Sequence, residues 1–316
     1  ASAGYFTLDR FDMFFSGTAG RLTMSQDSDA PEGFGNSLKL DCTTADTSIA
    51  AGEVAMLQYQ VEGQDLQQLK KGTSNAEKVT VSFYVKGNAN ATYTLELQDN
   101  DNSRHIAQTF NVTTSWNRVS LTFAGDTTGA FGDDNACSLR VQIYLQAGST
   151  YTSGTFTSNT WSAITNANTV KSDQTMFFDS TARTLSITGL QMEVSPVATP
   201  FEHRSFGQEL ALCSRYYTDI VRADNKTAHL IGYVQTSTVA RFGFHIPMRT
   251  SPSITETNFN ILYAGGSEQA ITSIDDISQD NQFLSFRANV AANLTSGQAV
   301  ALFSAGAATL TFDSEL

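Results

Sequence analysis

Apolar and polar residues alternate one by one in short segments of this chain. The alternation is clear at 79–86, 93–97, 119–123 and 139–145, and Gly, Asn and Asp are frequent between these segments. Successive side chains of a strand point to opposite faces, so each segment predicts a strand with one buried face. Short strands separated by turn residues favour an antiparallel two-sheet sandwich over repeated strand–helix–strand units.

A bulge, an extended linker and a capped helix follow one another in the middle of the chain. Gly189 shifts the phase of the alternation, as in a strand with a bulge, and Pro196 and Pro200 prevent further sheet pairing. Ser205 stands three residues before Gln208, which is the spacing of a capping box. Apolar residues then recur at roughly helical spacing, at Leu210, Leu212, Cys213, Tyr216 and Tyr217. This pattern predicts a helix of about three turns.

The 316 residues are enough for two modules of ordinary size. We predict an all-β chain with a β-sandwich at 1–195, a linker with a short helix at 196–217, and a smaller β-sandwich at 218–316. The second module repeats the strand pattern, for example at 241–246 and 300–303. The polar segment 148–169 predicts a long loop over one sheet face.

Charge and cysteine content exclude several classes of protein. The net charge of −12 argues against a nucleic-acid or anionic-membrane partner, and Lys70 and Lys71 form the only adjacent basic pair. No apolar run is long enough for membrane insertion. Three widely spaced cysteines without a paired motif predict buried free thiols rather than a disulfide framework or a zinc site.

Several segments closely resemble tail-fibre and fibre-like virion proteins of bacteriophages. Around the junction these are ATPFEHR at 198–204, ELALC at 209–213 and RYY at 215–217. Upstream, YFTLDRF at 5–11, LQYQVE at 57–62, VSFYVK at 81–86 and WNRVSLTF at 116–123 resemble the jelly-roll, carbohydrate-binding-like module of those proteins, and IPMRTSP at 246–252 resembles their terminal β-module. The resemblance implies a jelly-roll first module and a homotrimer, and it brings no catalytic motif.

The loop at 148–169 holds the candidate sugar-binding residues. Aromatic rings stack on the apolar face of a pyranose, and amides bind its hydroxyl groups. Tyr151, Phe156 and Trp161, with Asn159 beside them, have this chemistry. The alternative is that the rings fasten the loop to the sheet, because large aromatic side chains usually bury their area.

Paired carboxylates raise the alternatives of calcium binding and of catalysis. Asp99 and Asp101 begin a run that starts like a calcium loop, but Arg104 stands where glycine is required and Phe110 where the bidentate acid is required. Calcium is therefore the only cofactor considered, with solvated turns as the alternative explanation. A polysaccharide depolymerase would need two carboxyl groups across a groove, together with the long repeat-built domains of tailspike enzymes.

The resemblance leads to the hypothesis of a non-enzymatic, trimeric receptor-binding protein of a virion fibre. Its partners are other copies of itself, other virion proteins and a host-surface glycan, and it belongs to the tail or a capsid appendage, assembled in the bacterial cytoplasm. Its candidate oligomerisation residues are Leu210, Leu212, Tyr216 and Tyr217. An attachment region is expected before residue 1 or in another protein. The alternatives are a capsid or appendage protein without a host ligand and a depolymerase.

Overall fold

The chain forms two compact units, residues 1–203 and 204–316. The break falls inside the predicted linker, so residues 196–203 lie with the first unit and the helix with the second. Our computed structural model describes residues 4–5, 10–222, 225–263, 266–280 and 283–315. Part of the segment 5–11 that carried the resemblance lies outside the described residues.

The first unit is built almost entirely of strands. They are β1 (Gly4–Tyr5), β2 (Phe11–Ser16), β3 (Arg21–Asp27), β4 (Ser37–Thr44), β5 (Val54–Glu62), β6 (Val79–Gly87), β7 (Ala91–Asp99), β8 (Arg104–Val112), β9 (Asn117–Phe123), β10 (Cys137–Ala147), β11 (Ser162–Ala163) and β12 (Thr184–Val194). One short helix, α1, covers Ser149–Thr152. Single 3₁₀ turns occur at Gly63–Asp65, Gln67–Leu69, Asn166–Asn168 and Phe177–Asp179.

These strands form two antiparallel sheets. The first sheet has the order β1-β2-β5-β10-β7-β8-β11, and the second has the order β3-β4-β12-β6-β9. One hydrophobic core contains the inward side chains of both sheets, for example Val81 and Phe83 of β6 with Leu95 of β7 and Val141 of β10. The period-2 pattern therefore predicted the inward faces correctly, and the all-β sandwich is confirmed.

The bulge predicted at Gly189 is confirmed. The pairing of β12 with β6 shifts register between Thr188 and Gln191, and Gly189 has a φ of 61°, which favours a residue without Cβ. Beyond β12 the chain runs over the outer face of the second sheet. Thr80 Oγ1 donates a hydrogen bond to the Ser195 carbonyl oxygen at 2.7 Å. The linker is thus part of the first unit.

The second unit begins with a helix and continues as a single sheet. Its elements are α2 (Phe206–Cys213), β13 (Tyr217–Arg222), β14 (Asn225–Thr236), β15 (Val239–His245), β16 (Ser253–Tyr263), β17 (Ser267–Asp280), β18 (Phe283–Val290) and β19 (Ala299–Asp313). The predicted capping box is present, with Ser205 and Gln208 bonded to each other's backbone N–H groups. The helix is shorter than predicted, because Tyr217 already pairs with Asp313 as the first residue of β13.

One sheet forms both layers of the second unit. Its order is β13-β19-β14-β15-β18-β17-β16, and an additional pairing of β19 with β16 closes it. The aromatic rings of Phe242, Phe286 and Phe312 pack in sequence inside it, with ring centroids 5.6 and 6.4 Å apart. The two walls expected of a small sandwich are therefore continuous with each other, which leaves few sheet edges.

The cysteines are free thiols, as predicted, but they are not all buried. Cys42 lies in the core of the first unit, whereas Cys137 and Cys213 are half-buried. Burial raises the pKa of the Cys42 thiol, and the backbone contact with Thr44 offsets part of this effect. None of the helices in the described residues has the length and apolarity that a membrane span requires.

Candidate functional site

The loop predicted at 148–169 lies on the outer face of the first sheet. Its strand β11 pairs with β8, where Ser162 stands opposite His105. At its start, Tyr151 packs against a small apolar cluster that includes Met56, Tyr144 and Val170. The start of the loop therefore lies over a sheet face, as predicted, whereas β11 extends the sheet at its edge. Tyr151 is half-buried in this cluster.

Trp161 and Asn159 fasten this loop to the sandwich. The Trp161 ring packs against the core, and its Nε1–H donates to the Ala124 carbonyl oxygen at 2.7 Å. The Asn159 N–H donates to the Ala107 carbonyl oxygen at 2.9 Å, and its Oδ1 accepts from the Ala124 N–H at 3.0 Å. These two residues match the alternative interpretation, in which the loop is anchored. Phe156 is half-buried in the same loop.

A row of polar side chains crosses the outer face of the first sheet. Asp12, Gln58, Gln142 and Glu96 occupy paired positions on β2, β5, β10 and β7. The Gln142 Nε2–H donates to Gln58 Oε1 at 3.0 Å, and the Gln58 Nε2–H donates to Asp12 Oδ2 at 2.8 Å. Each of the four is at most 8% exposed. Hydrogen bonds therefore link Asp12, Gln58 and Gln142 along the row, whereas Glu96 has its partners outside the row.

Glu96 orients the imidazole of His105. Glu96 Oε1 lies 2.7 Å from His105 Nδ1, and Glu96 Oε2 accepts from the Tyr144 hydroxyl at 2.9 Å. Because this contact occupies Nδ1, Nε2 is the ring nitrogen left for a ligand. Burial raises the pKa of Tyr144, and the neighbouring Glu96 raises it further, so Tyr144 stays a donor.

A polar cleft lies where the loop passes over β8. Its volume is about 140 Å³, well above the roughly 30 Å³ share of one water molecule. Its polar lining consists of hydroxyls, an amide and an imidazole, from His105, Thr155, Thr157, Thr160, Ser162 and Asn168, and Ile106 and Ala107 complete the wall. The polar groups can both donate and accept hydrogen bonds, as a ligand rich in hydroxyl groups requires.

The walls of the cleft are held by contacts behind them. Asn168 Oδ1 accepts from the Thr155 N–H at 2.9 Å, which leaves the Asn168 NH₂ group for the cleft. The Gly154 N–H donates to the Ala167 carbonyl oxygen at 2.7 Å. The two sides of the loop are therefore joined, and the cleft is preorganised for a ligand.

Asp99 and Asp101, the candidate calcium ligands, have other partners. Asp99 is fully buried, and its Oδ2 lies 2.6 Å from the Nζ of Lys71. Asp101 Oδ2 instead accepts from the Gly132 N–H at 2.9 Å. Among the described residues, no group of three or more His, Cys, Asp or Glu side chains is arranged to hold a metal ion. The positive charge that balances Asp99 is an ammonium group.

The Lys71 ammonium lies among four oxygen atoms. Besides Asp99, it contacts Asp126 Oδ2 at 3.1 Å and the carbonyl oxygens of Thr128 and Gly129 at 2.8 and 2.9 Å. Arg104 binds the same Asp126 carboxylate through two hydrogen bonds of 2.6 and 3.0 Å. Burial raises the pKa of Asp126, but the hydrogen bonds from Arg104 and its other donors outweigh burial and lower it.

The candidate oligomerisation residues differ in exposure. Leu210, Leu212 and Tyr217 are 52%, 40% and 42% exposed, and α2 contains no buried residue. Tyr216 is only 3% exposed, and its carbonyl oxygen accepts from the Ser314 N–H at 2.9 Å. Its side chain is therefore buried within its own unit, whereas the other three candidates are exposed.

The cleft and the polar row were missed by sequence reasoning. A signal was present at the polar positions of the alternating strands. Long amide and acidic side chains, such as Gln58, Glu96 and Gln142, stand there opposite an apolar face. Ser, Thr and Lys are more usual on a solvent-exposed face. Long polar side chains at several strand centres indicate a face that binds something or is covered.

No family model matches this chain, and no curated protein matches it. Among solved structures it is similar to a CBM4 carbohydrate-binding module, at 12% identity over 58% of this chain and 87% of that one (TM-score 0.32). The family 11 carbohydrate-binding module from Clostridium thermocellum, in complex with a β-1,3-1,4-mixed-linked tetrasaccharide, has 11% identity over 61% and 91% (TM-score 0.32). Tailspike protein 4 of bacteriophage CBA120 has 11% identity over 59% and 19% (TM-score 0.32). Likenesses this weak carry no argument about function.

Proposed function

We propose that this chain is a non-enzymatic receptor-binding protein of a bacteriophage virion fibre, which adsorbs to a glycan on the host surface. The cleft above His105 carries the glycan-binding part of the proposal. Its hydroxyl, amide and imidazole groups match the alternating donors and acceptors of a sugar, and the bonds to Glu96 and Thr155 hold them in place.

The surface chemistry supports a glycan rather than a charged polymer. Only 16% of the residues are charged, and the net charge is −12. A nucleic acid or an anionic membrane would require clusters of Lys and Arg. A neutral glycan is bound through hydrogen bonds to uncharged groups, which this chain supplies in quantity.

The virion context and the trimer rest on other observations. The segments at 198–204 and 209–213 resemble the junction of phage fibres. Phe206 and Leu210 of α2 are 83% and 52% exposed, and an exposed apolar helix face favours a contact with further copies of the chain. A trimer would multiply weak single sites, since linked sites raise avidity by about 10²- to 10⁴-fold.

A structural appendage protein without a host ligand is the second candidate. The exposed apolar side chains of the second unit, among them Val221, Ile231 and Phe283, favour it, because they supply surface for contacts with other virion proteins. In that role the cleft would have no ligand. The two functions therefore differ in whether the purified protein binds host cells.

The test is binding of the purified chain to host cells and to a glycan array, with the oligomeric mass measured by light scattering. We expect a trimer that binds a defined glycan. The variant His105→Asn keeps an amide donor for Glu96 but removes Nε2 from the cleft, so it should lose binding. His203→Asn, at an exposed histidine outside the cleft, is the matched control. A trimer that binds neither cells nor glycans would favour the appendage, and a monomer would contradict both functions.

A further inference from the structure

We infer that the cleft above His105 takes a single uncharged sugar ring, as the end or a side branch of a longer glycan. The inference rests on the proposed function, which leaves the class of glycan open. It is drawn from the charge, the size and the hydrogen-bonding groups of the cleft.

The charge of the cleft favours a neutral ligand. Within the described residues, no Asp, Glu, Lys or Arg side chain lines the cleft, and His105 is its only ionisable group. Behind His105 stands Glu96 at 2.7 Å, with the hydroxyl of Tyr144 bonded to its second oxygen. The carboxylate of a uronic or sialic acid would thus find no Lys or Arg side chain in the cleft, and the carboxyl group of Glu96 stands directly behind the imidazole, so burying the acid there is unfavourable.

The size of the cleft favours one ring. Its volume of about 140 Å³ is well below the roughly 300–1,000 Å³ of pockets that hold drug-sized ligands, so it is too small for a run of sugar units. In the part of the chain that the structure describes, the imidazole of His105 is the only ring in the lining, so the site has no platform for stacking along a polysaccharide. A terminal or branching unit, inserted end-on, fits both observations.

Specific donors and acceptors of the cleft would form hydrogen bonds with the hydroxyl groups of the sugar ring. The Asn168 NH₂ group is left free by the bond of its Oδ1 to the Thr155 N–H, and it donates. The Thr157 and Ser162 hydroxyls, which are exposed on the wall, both donate and accept. Because Thr157 and Ser162 are exposed, replacing them removes a hydroxyl without disturbing the core.

The experiment measures binding of methyl glycosides to the full-length protein by saturation-transfer NMR and calorimetry. The probes are matched pairs, methyl glucoside with methyl glucuronoside and methyl galactoside with methyl galacturonoside. We expect a neutral member to bind and its acid counterpart to bind at least about tenfold more weakly. Thr157→Val and Ser162→Ala should each weaken the neutral glycoside about 3- to 10-fold, the effect of one lost hydrogen bond.

Thr165→Val is the control, because Thr165 is an exposed threonine of the same loop that does not line the cleft. It should bind the probes as the wild type does. If the acid sugars bind as tightly as the neutral ones, or if both cleft variants bind like the control, the inference is wrong while the proposed function stands. If the protein binds neither cells nor any arrayed glycan, the proposed function fails and the inference fails with it.

Discussion

Replacing Lys71 with methionine should lower the free energy of unfolding of the first unit far more than the same replacement of a surface lysine does. The Lys71 side chain is 4% exposed, and its ammonium contacts Asp99 and Asp126, which are 0% and 4% exposed. Methionine keeps most of the length and apolar volume of lysine but removes the charge. The substitution therefore removes the ammonium and its hydrogen bonds while keeping most of the apolar packing.

The loss of the ammonium affects Asp99 more than Asp126. Asp126 keeps both hydrogen bonds from Arg104, so its charge stays balanced. Asp99 keeps only neutral donors, among them the Asn102 N–H at 3.0 Å, and is left as a buried uncompensated anion. Removing one partner of a buried ion pair costs about 3–5 kcal/mol. Because only Asp99 loses its cationic partner, and it keeps neutral donors, we expect a loss of about 3 kcal/mol in the free energy of unfolding.

The assay is urea unfolding followed by tryptophan fluorescence. The chain has two tryptophans, Trp116 and Trp161, and both lie in the first unit, so the signal reports on that unit alone. Lys70→Met is the matched control: Lys70 is 54% exposed and pairs with Glu77, a surface ion pair that contributes about 0–1 kcal/mol. Adding Asp99→Asn to Lys71→Met should recover part of the loss. Equal effects of the two lysine variants would refute the reasoning.

Two further substitutions test the polar row and the helix. Burial raises the pKa of Asp12 in the folded state, despite the bond to Gln58. The protonated carboxyl therefore stabilises the fold at pH values below its ordinary pKa, and this stabilisation is lost as the pH rises through the raised pKa. Asp12→Asn should therefore stabilise the first unit at pH 7, by under about 1 kcal/mol. It should also reduce the dependence of the urea midpoint on pH between 4 and 7. A lower midpoint at pH 7 would contradict this. If the proposed trimer forms through α2, Leu210→Lys should reduce it to smaller species in light scattering without lowering the melting temperature. The neighbouring exposed control Ala211→Lys should leave the oligomeric mass unchanged.

The strands were predictable because their signal is local. In β6, Val81, Phe83 and Val85 follow period 2, and each faces the core. The bulge at Gly189 and the capping box at Ser205 are also properties of a few neighbouring residues. The length of α2 was not local in this sense: Tyr217 continues a helical spacing in the sequence, but pairing with Asp313, almost a hundred residues later, makes it a strand.

The hydrogen-bond partners of the polar groups were not predictable either, because they too lie far apart in the sequence. Asp12 of β2 is hydrogen-bonded to Gln58 of β5, and Gln58 to Gln142 of β10, which is 84 residues away. Alternation shows which side chains share a face of one strand, but it does not show which strands are neighbours. Likewise, the acidic run at Asp99 suggested calcium because Lys71, the group that balances it, stands 28 positions earlier in the chain.

Trp161 and Asn159, two of the candidate sugar ligands, lie in the loop that walls the cleft. Their contacts with Ala124 and Ala107 anchor this loop. Trp161→Ala would therefore weaken glycan binding whether the ring stacks on a sugar or only positions the loop, and its loss of binding would not separate the two. Thr157→Val tests the cleft itself, since it changes a cleft hydroxyl and leaves the anchors in place.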